Sequence, residues 1–340
     1  MKTRYFRADS DDESFYGECA KIIRGGGLVA FPTETVYGLG VNAFDKSAVP
    51  KVFKAKGRPS DNPLIVHVAF PEDAENIAYT NDTYYRIAER FMPGPRTVIL
   101  PKKDVIPFEV TGGLDSVGVR CPSHLAAHKL IMASGVPIAA PSANLSGAPS
   151  PTKAEHVVKD MDTRIDAAIL SDECDFGLES TVISLNGNGA VILRPGAVTR
   201  EDLLEILERV EVSPAVTDPS AAGARPASPG MKYKHYSPNA EFVLVDADSK
   251  TFASFVENQN EKSAVICGKS EKELFSSAMT FVYGETDDYK ALSFALFAFF
   301  RSADSAQAEK IYARLPDKSG YGLALYNRMI RAAANKIIKP

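Results

Sequence analysis

The sequence has 340 residues, of which 45% are hydrophobic and 24% are charged, and its formal net charge is −4 at pH 7. This length and composition are typical of a globular enzyme with two domains. The slight acidic excess disfavours a dedicated duplex-binding protein, because such proteins usually carry a large basic excess.

The cellular setting follows from what the sequence lacks. The polar, acidic start has no apolar core of a secretory signal, and no run of residues is long and apolar enough to span a bilayer. The four cysteines are far apart and form no CxxC pair, so neither a disulfide framework nor a zinc ribbon is indicated. We therefore expect a cytoplasmic protein without a membrane segment.

The N-terminal part of the chain alternates predicted helices with short apolar strands. The predicted helices are residues 14–24, 45–56, 123–134 and 201–210, and the predicted strands are 28–31, 63–69, 97–101, 117–120, 180–185 and 190–194. Gly57 is placed as the C-terminal cap of the second helix. The GNG sequence between the last two strands predicts a hairpin.

The composition changes near residue 213. Residues 213–238 are rich in Pro, Ala, Ser and Gly and have neither a helical nor a strand period, which predicts a linker long enough to be functional. Beyond it, FVLV, AVICG and MTFVYG alternate with helices, and two long helices follow, so we expect a small three-layer α/β domain. The apolar run Ala291–Phe300 is predicted to be a buried helix of this domain.

Several familiar motifs fit poorly. GGGLVA (residues 25–30) and GLGVNA (residues 38–43) match a dinucleotide-binding pattern, but neither lies between a strand and the start of a helix. CGKS (residues 267–270) resembles the end of a phosphate-binding loop without its first glycine, which favours a plain strand-to-helix turn. His124 and His128 lack the glutamate of a zinc-protease motif, so a solvated helix face is favoured over a metal site.

The most informative run joins FPTETVYGLG (residues 31–40) to KAKGRPSDNPLIVHV (residues 54–68). Lys54 and Lys56 alone are explained as last-turn cations that favour the helix dipole. That explanation does not account for Arg58 and the short polar residues after it, among them Asn62. Cations followed by short polar groups suit phosphate binding, because a guanidinium supplies fixed donors and an ammonium supplies a point charge.

Other polar positions allow two interpretations each. His67 is either a core histidine on one face of a strand or a ligand-binding group, and Thr35 is either a turn residue or a binding residue. APSANLSG (residues 140–147) is either a capped turn or a binding loop. Arg194, at a strand end before Pro-Gly, is either an anion clamp or an exposed rim charge. SPGMKYKHYSP (residues 228–238) adds cations and aromatic residues to the linker.

Together these blocks resemble the YrdC-like threonylcarbamoyl-AMP synthases in their long two-domain form. The resemblance covers nearly the whole chain and depends on FPTETVYGLG, the pair Lys56 and Arg58, the pair Ser142 and Asn144, and SPGMKYKHYSP, in that order. It implies an α/β fold with a twisted open mixed sheet and a large cleft at residues 1–212. It also implies a linker that closes over the active site at 213–238, and a smaller Rossmann-like α/β domain at 239–340.

The resemblance further implies the activity. L-Threonine, bicarbonate and ATP would be converted into threonylcarbamoyl-AMP and pyrophosphate. Mg²⁺ would be carried mainly by the ATP phosphates rather than by a metal site of the protein. A downstream tRNA threonylcarbamoyltransferase system would then transfer the group, so tRNA itself would be an indirect partner.

Individual roles are implied as well. Lys56 and Arg58 would stabilise the transition state and bind the triphosphate and the carbamate. The implied ATP-binding residues are Arg58, Asn62, Ser116, Ser142, Asn144, Ser150, Arg194 and Tyr233. The implied threonine-binding residues are Thr35, His67, Arg120, Ala140 through its backbone, and Ser180. Arg120 is the natural partner of the threonine carboxylate.

Two other functions compete with this one. A module that docks on tRNA or double-stranded RNA without chemistry would also use a basic cleft, and salt-dependent RNA binding without ATP turnover would support it. A carbamoyl-transfer enzyme acting on carbamoyl phosphate would share the YrdC-like domain. Such enzymes carry zinc-finger regions, for which four scattered cysteines do not supply the ligands.

Overall fold

A computed structural model describes residues 2–57, 62–172, 174–218, 221, 236–259 and 262–340. The chain divides into two compact units. The first contains residues 1–146, 150–175 and 179–232, and the second contains residues 147–149, 176–178 and 233–340. Two short segments, 147–149 and 176–178, thus belong to the second unit although the chain around them belongs to the first.

The first unit is built on a mixed sheet of 11 strands. Its strands are β1 (Arg4–Arg7), β2 (Val29–Phe31), β3 (Gly38–Asn42), β4 (Ile65–His67), β5 (Arg96–Pro101), β6 (Ser116–Arg120), β7 (Ile138–Ala140), β8 (Ala167–Leu170), β9 (Thr181–Asn186), β10 (Gly189–Arg194) and β11 (Val210–Val212). They lie in the order β1-β8-β2-β3-β7-β4-β6-β5-β9-β10-β11. Parallel and antiparallel neighbours both occur, so the expected mixed sheet is confirmed.

The helices of the first unit connect these strands. They are α1 (Ser14–Arg24), α2 (Val49–Lys56), α3 (Asp82–Phe91), α4 (Phe108–Thr111), α5 (Leu125–Ser134), α6 (Ala154–Met161) and α7 (Arg200–Leu204), with 3₁₀ helices at Pro71–Asn76 and Pro214–Val216. A large apolar core that includes Val52, Leu64, Val98 and Ile183 packs between sheet and helices. The predicted helix 14–24 and the hairpin of β9 and β10 are confirmed.

Three predicted helices have different bounds, and for the one predicted at 123–134 the difference is small, since it begins at Leu125. The second begins at Val49 instead of residue 45, because the Asp45 carboxylate accepts hydrogen bonds from the backbone of Ser47 and Ala48 and holds a turn there. Gly57 does cap this helix, with φ of 65°. The last helix ends at Leu204, and Val210 instead pairs with Ala190 as part of β11.

The second unit contains a parallel sheet of five strands in the order β14-β13-β15-β12-β16. The strands are β12 (Glu241–Val245), β13 (Ser263–Cys267), β14 (Met279–Val282), β15 (Lys310–Arg314) and β16 (Ile337–Ile338). The helices are α8 (Ser249–Glu257), α9 (Tyr289–Ser305) and α10 (Gly320–Ala332), with a 3₁₀ helix at Lys269–Leu274. Helical crossovers between parallel strands are the Rossmann-like arrangement that was expected.

The minor motifs of the sequence have plain structural roles. CGKS is the turn from β13 into the 3₁₀ helix, and GLGVNA largely coincides with strand β3. The apolar run Ala291–Phe300 lies in α9, where Leu296, Phe297 and Phe300 are buried. Across the ranges that the structure describes, no helix is both long and apolar enough to cross a membrane.

One buried cation stands apart from the others. Arg96, the first residue of β5, has no solvent-exposed surface, and its guanidinium nitrogens have no hydrogen-bond partner in the structure. Its charge lies 4.9 Å from the centre of the Phe91 ring and is partly compensated by the charge of Glu34. Burial lowers the pKa of Arg96 to about 9, so its charge is costly in the folded state.

We predict that Arg96→Met stabilises the protein by about 1–3 kcal/mol, because an unbranched apolar side chain replaces an unpartnered buried charge. Arg90→Met on α3 is the matched control, since the Arg90 side chain is 58% exposed and forms an exposed ion pair of little value. Thermal unfolding of the purified full chain measures both. A lower midpoint for Arg96→Met than for wild type would contradict the prediction.

Candidate active site

Most of the candidate site residues lie on neighbouring strands of the large sheet. In sheet order, Ala140 ends β7, His67 ends β4, Arg120 ends β6, and β5 and β9 come next, before Arg194 at the end of β10. Ser180 directly precedes β9. The fold therefore assembles one candidate site in the first unit from residues far apart in sequence.

The FPTETVYGLG block forms a buried cluster with Arg120. Arg120 Nη2 donates to Glu34 Oε1 at 2.7 Å, to Thr35 Oγ1 at 2.8 Å and to Thr33 Oγ1 at 3.3 Å. The second oxygen of Glu34 accepts the backbone N–H of Ser123 at 3.1 Å. The side chains of Arg120 and Glu34 are 5% and 0% exposed, so this ion pair is shielded from water.

The same guanidinium has one donor atom that no described protein group accepts. Arg120 Nε is buried and has no hydrogen-bond partner in the structure. Because arginine is donor-only, such an edge calls for an oxygen acceptor, and a carboxylate matches its planar geometry best. Glu34 and the two threonines thus hold one nitrogen of Arg120, while Nε is suited to an anionic ligand.

His67 is a buried neutral imidazole beside Arg120. It is the register partner of Arg120 between β4 and β6, and its ring packs edge-on against Phe31. Nδ1 lies 3.2 Å from the carbonyl oxygen of Ile65 and 3.3 Å from that of Ile138, which assigns the proton to Nδ1 and the lone pair to Nε2. Burial, and then the charge of Arg120, lowers the pKa of His67 to about 3.

Lys56 joins the end of α2 to the APSANLSG loop. It is 2% exposed, and its Nζ donates to the carbonyl oxygens of Ser142 and Asn144, the latter at 2.8 Å, and lies 3.4 Å from Asn144 Oδ1. Its own carbonyl accepts the N–H of Ser146 at 2.9 Å. Both lysines lie in the last turn of α2, as the helix-dipole explanation requires, but unlike the exposed Lys54, Lys56 is a buried cation that fixes the loop.

Arg194 and Ser180 form a third group. Arg194 Nε donates to the carbonyl oxygen of Ser180 at 3.1 Å, and its Nη2 donates to Ser180 Oγ at 3.1 Å. Ser180 Oγ also lies 2.9 Å from Thr97 Oγ1. Arg194 is 6% exposed, so the alternative of an exposed rim charge is wrong. Ser150 is brought to the same region because its hydroxyl donates to Glu179, the residue before Ser180.

The remaining candidates are placed less completely. Asn62 has no exposed surface, and both polar atoms of its amide lack hydrogen-bond partners. Ser116 is half-buried at the start of β6, on the face of Arg120 by strand alternation, and no hydrogen bond to the other described site residues is present. Arg58, Tyr233 and most of the expected lid, residues 219–220 and 222–235, lie outside the described residues.

Two residues of this site were missed by sequence reasoning. Glu34 lies inside the FPTETVYGLG block, and an acidic residue between two threonines in an apolar surrounding was the available signal. Thr97 lies in an apolar strand, where strand alternation alone gives a threonine no functional meaning. Glu34 and Thr97 belong to the candidate site only through their hydrogen bonds to Arg120 and Ser180, which the fold brings next to them.

Comparisons with known proteins agree over the whole chain. A family model described as "Telomere recombination" (Sua5/YciO/YrdC) matches residues 21–196, and one described as "Threonylcarbamoyl-AMP synthase, C-terminal domain" matches residues 198–334. The chain is 43% identical to the threonylcarbamoyl-AMP synthase of Pyrococcus abyssi, over 94% of both chains. It is 38% identical to the threonylcarbamoyl-AMP synthase of Bacillus subtilis, over 100% of both chains.

Solved structures give the same result. The crystal structure of P. abyssi Sua5 complexed with L-threonine superposes with a TM-score of 0.90, at 40% identity and over 100% of both chains. E. coli YciO superposes with a TM-score of 0.51 at 22% identity, over 57% of this chain and 95% of YciO, which shows a shared fold.

The buried histidine predicts a pH dependence. Because the pKa of His67 is lowered on folding, the unfolded chain binds a proton that the folded chain does not, between pH about 6.5 and about 3. Stability should therefore fall as the pH falls through this window, with a contribution from His67 of up to about 1.4 kcal/mol per pH unit.

Thermal midpoints of wild type and His67→Gln, each referred to its own midpoint at neutral pH, test this dependence. The variant should lose less stability on acidification than wild type does. The same acid dependence in both proteins would mean that His67 is not held neutral in the fold.

Proposed function

The chain belongs to the threonylcarbamoyl-AMP synthase family, and from that premise we propose that the clusters around Lys56, Arg120 and Arg194 are its active site. The chain is thus an ATP-using transferase that makes threonylcarbamoyl-AMP for tRNA modification. The observation that carries the proposed site is the assembly of three buried cations from separate sequence blocks in one compact unit. Such cations suit a reaction between anions.

Threonine would bind at the Arg120 cluster. Its carboxylate would accept from the unpartnered Nε of Arg120, and Ser180 and the backbone of Ala140 would complete the pocket. Nε2 of His67 would accept a hydrogen bond from the hydroxyl or amine of the substrate, since the proton sits on Nδ1. Thr35, already bonded to Arg120, would fix the wall of the pocket.

ATP would bind along the Lys56 and Arg194 groups. Lys56 and Arg58 would contact the phosphates and the carbamate, and Lys56 would do so from a position fixed by the 142–146 loop. The buried, unpartnered amide of Asn62 is suited to hydrogen bonds with the nucleotide. Further contacts would come from Ser116, Ser142, Asn144, Ser150, Arg194 and Tyr233.

The chemistry needs charge compensation and positioning. The ammonium group of threonine would lose a proton and its nitrogen would attack the carbon of bicarbonate, so that an N–C bond forms, a C–O bond of bicarbonate breaks and water leaves. A carbamate oxygen would then attack the α-phosphorus of ATP, and the bond from that phosphorus to pyrophosphate would break. Both partners are anionic, so Lys56, Arg58 and Arg194 would hold them together and stabilise the charge of the transition state.

Magnesium fits this arrangement as a companion of the nucleotide. The carboxylates beside the site, Glu34 and Glu179, accept hydrogen bonds from Arg120 and Ser150. In the described part of the chain, no group of three or more His, Cys, Asp or Glu side chains is arranged to hold a metal ion. Bound to ATP, Mg²⁺ would neutralise phosphate charge.

The wider setting is part of the same proposal. We propose a catalytic domain at residues 1–212, a lid at 213–238 and a C-terminal domain at 239–340, because a lid would keep water from the labile adenylate. A downstream tRNA threonylcarbamoyltransferase system would consume the product. A cytoplasmic location is supported by four cysteines that are all buried and free.

The function predicts a strict substrate requirement. Pyrophosphate release by the purified full chain with ATP and Mg²⁺ should require both threonine and bicarbonate. Lys56→Met should lower kcat at least about 100-fold, because it removes a buried cation from the reacting anions. Lys54→Met, in the same helical turn but exposed, is the matched control and should stay within about twofold of wild type.

Two results would contradict this proposal. Pyrophosphate release that ignores threonine would mean a different ATP-consuming reaction. Absent release, combined with salt-dependent binding of RNA, would favour the RNA-docking module instead.

A further inference from the structure

The hydroxyls of Thr97 and Ser180 together carry one more hydrogen than the described groups around them can accept. Both residues have no exposed surface, and their oxygens are 2.9 Å apart. Ser180 Oγ also accepts from Arg194 Nη2 at 3.1 Å, and the described residues offer neither hydroxyl a further hydrogen-bond partner. Two hydroxyl hydrogens share one oxygen–oxygen contact, so one of the two hydrogens has no acceptor within the protein.

Which hydroxyl donates in this pair depends on where the other hydrogen could find an acceptor. The methyl group of Thr97 faces Gly118, whose missing Cβ would lie 3.1 Å from it, and Ile99 and Ile65 line the same place. A Thr97 hydrogen turned away from Ser180 finds no acceptor among the described residues, which is costly for a buried hydroxyl. On this basis Thr97 is assigned as the donor to Ser180, whose own hydrogen a ligand at the proposed threonine site could accept.

With Thr97 as donor, the hydrogen-bonding of Ser180 is fully determined. One lone pair of Ser180 Oγ accepts from Thr97 and the other accepts from Arg194, so the Ser180 hydroxyl can act toward a third group only as a donor. A carboxylate oxygen accepts and never donates, which makes it the matching ligand group.

We propose that Thr97 is a positioning residue that makes Ser180 an obligate hydrogen-bond donor to a carboxylate oxygen of bound threonine. This inference depends on the proposed assignment of Ser180 to the threonine site. It gives that site a second donor beside the unpartnered Nε of Arg120. It also explains why a buried threonine directly precedes the apolar stretch from Val98 to Leu100.

Thr97→Val and Thr97→Ser test the proposal in the full-length protein. Valine keeps the shape and removes the hydroxyl, so the KM for threonine should rise about fivefold to tenfold, while the KM for ATP stays within about twofold. Serine keeps the hydroxyl and should restore the KM for threonine. In a Ser180→Ala background, Thr97→Val should add less than about twofold, because its target is already gone.

Several outcomes would overturn the proposal. Equal losses for valine and serine would assign the effect to packing, and a full additional loss in the Ser180→Ala background would show that Thr97 does not act through Ser180. A neutron map of wild-type protein is independent of any variant's folding. Deuterium bound to Thr97 Oγ1 and directed at Ser180 supports the proposal, and the reverse direction overturns it.

Calorimetric titration of threonine separates this proposal from the proposed function. If the wild-type protein binds threonine without releasing pyrophosphate, and Thr97→Val binds threonine more weakly, the proposed function is contradicted and the inference about Thr97 is supported. A normal threonine-dependent reaction with an unchanged KM in Thr97→Val would defeat the inference alone. Wild type that does not bind threonine would defeat both.

Discussion

The ion pair between Arg120 and Glu34 is the interaction around which the site is arranged. A guanidinium buried in a sheet is tolerated only when hydrogen bonds and an opposite charge replace the water it has lost. Glu34 supplies that charge at 2.7 Å, and Ser123 fixes the second oxygen of Glu34 from just before α5. The pair therefore locks the FPTETVYGLG loop to the end of β6 and leaves the buried Nε of Arg120 without an acceptor among the described residues.

The other buried cations of the site are also held by oxygen acceptors, although the acceptors among the described residues are uncharged. Lys56 donates to carbonyl and amide oxygens of the 142–144 loop, and Arg194 donates to the carbonyl and hydroxyl of Ser180. Arg96 lies on the same sheet, but among the described residues its guanidinium has no hydrogen-bonded oxygen and lies over an aromatic ring. The contrast shows why buried charges in this fold are useful where they are held by oxygens, and a cost to stability where they are not.

Much of the architecture could be predicted because it depends on local patterns. The helix at 14–24, the cap at Gly57 and the GNG hairpin were all found at the expected places. The failures have tertiary causes. The pattern of EDLLEILERV predicts a helix that includes Val210, but Val210 extends the sheet beside β10. The KIYAR segment gives no clear strand signal because it is short, and β15 is defined by its pairing with β12 and β13.

The site shows the same division between local and tertiary information. The motif blocks supply most of the proposed site residues, because their order along the chain resembles a known family. No local pattern could reveal that Glu34 faces Arg120 across 86 positions, or that Thr97 meets Ser180 across 83 positions. The contact of Thr97 with Ser180 exists because β5 and β9 are neighbours in the sheet, and that of Glu34 with Arg120 exists because the segment between β2 and β3 reaches the end of β6.

The most direct test of this account compares the binding of L-threonine and L-threoninol, which lacks the carboxylate, to the wild-type protein by titration calorimetry. If the free edge of Arg120 is built for a carboxylate, threoninol should bind at least about 30-fold more weakly, because it leaves a buried charged donor without its partner. Equal affinities for the two compounds would contradict the account, since the pair of Arg120 and Glu34 would then have no part in recognising the substrate.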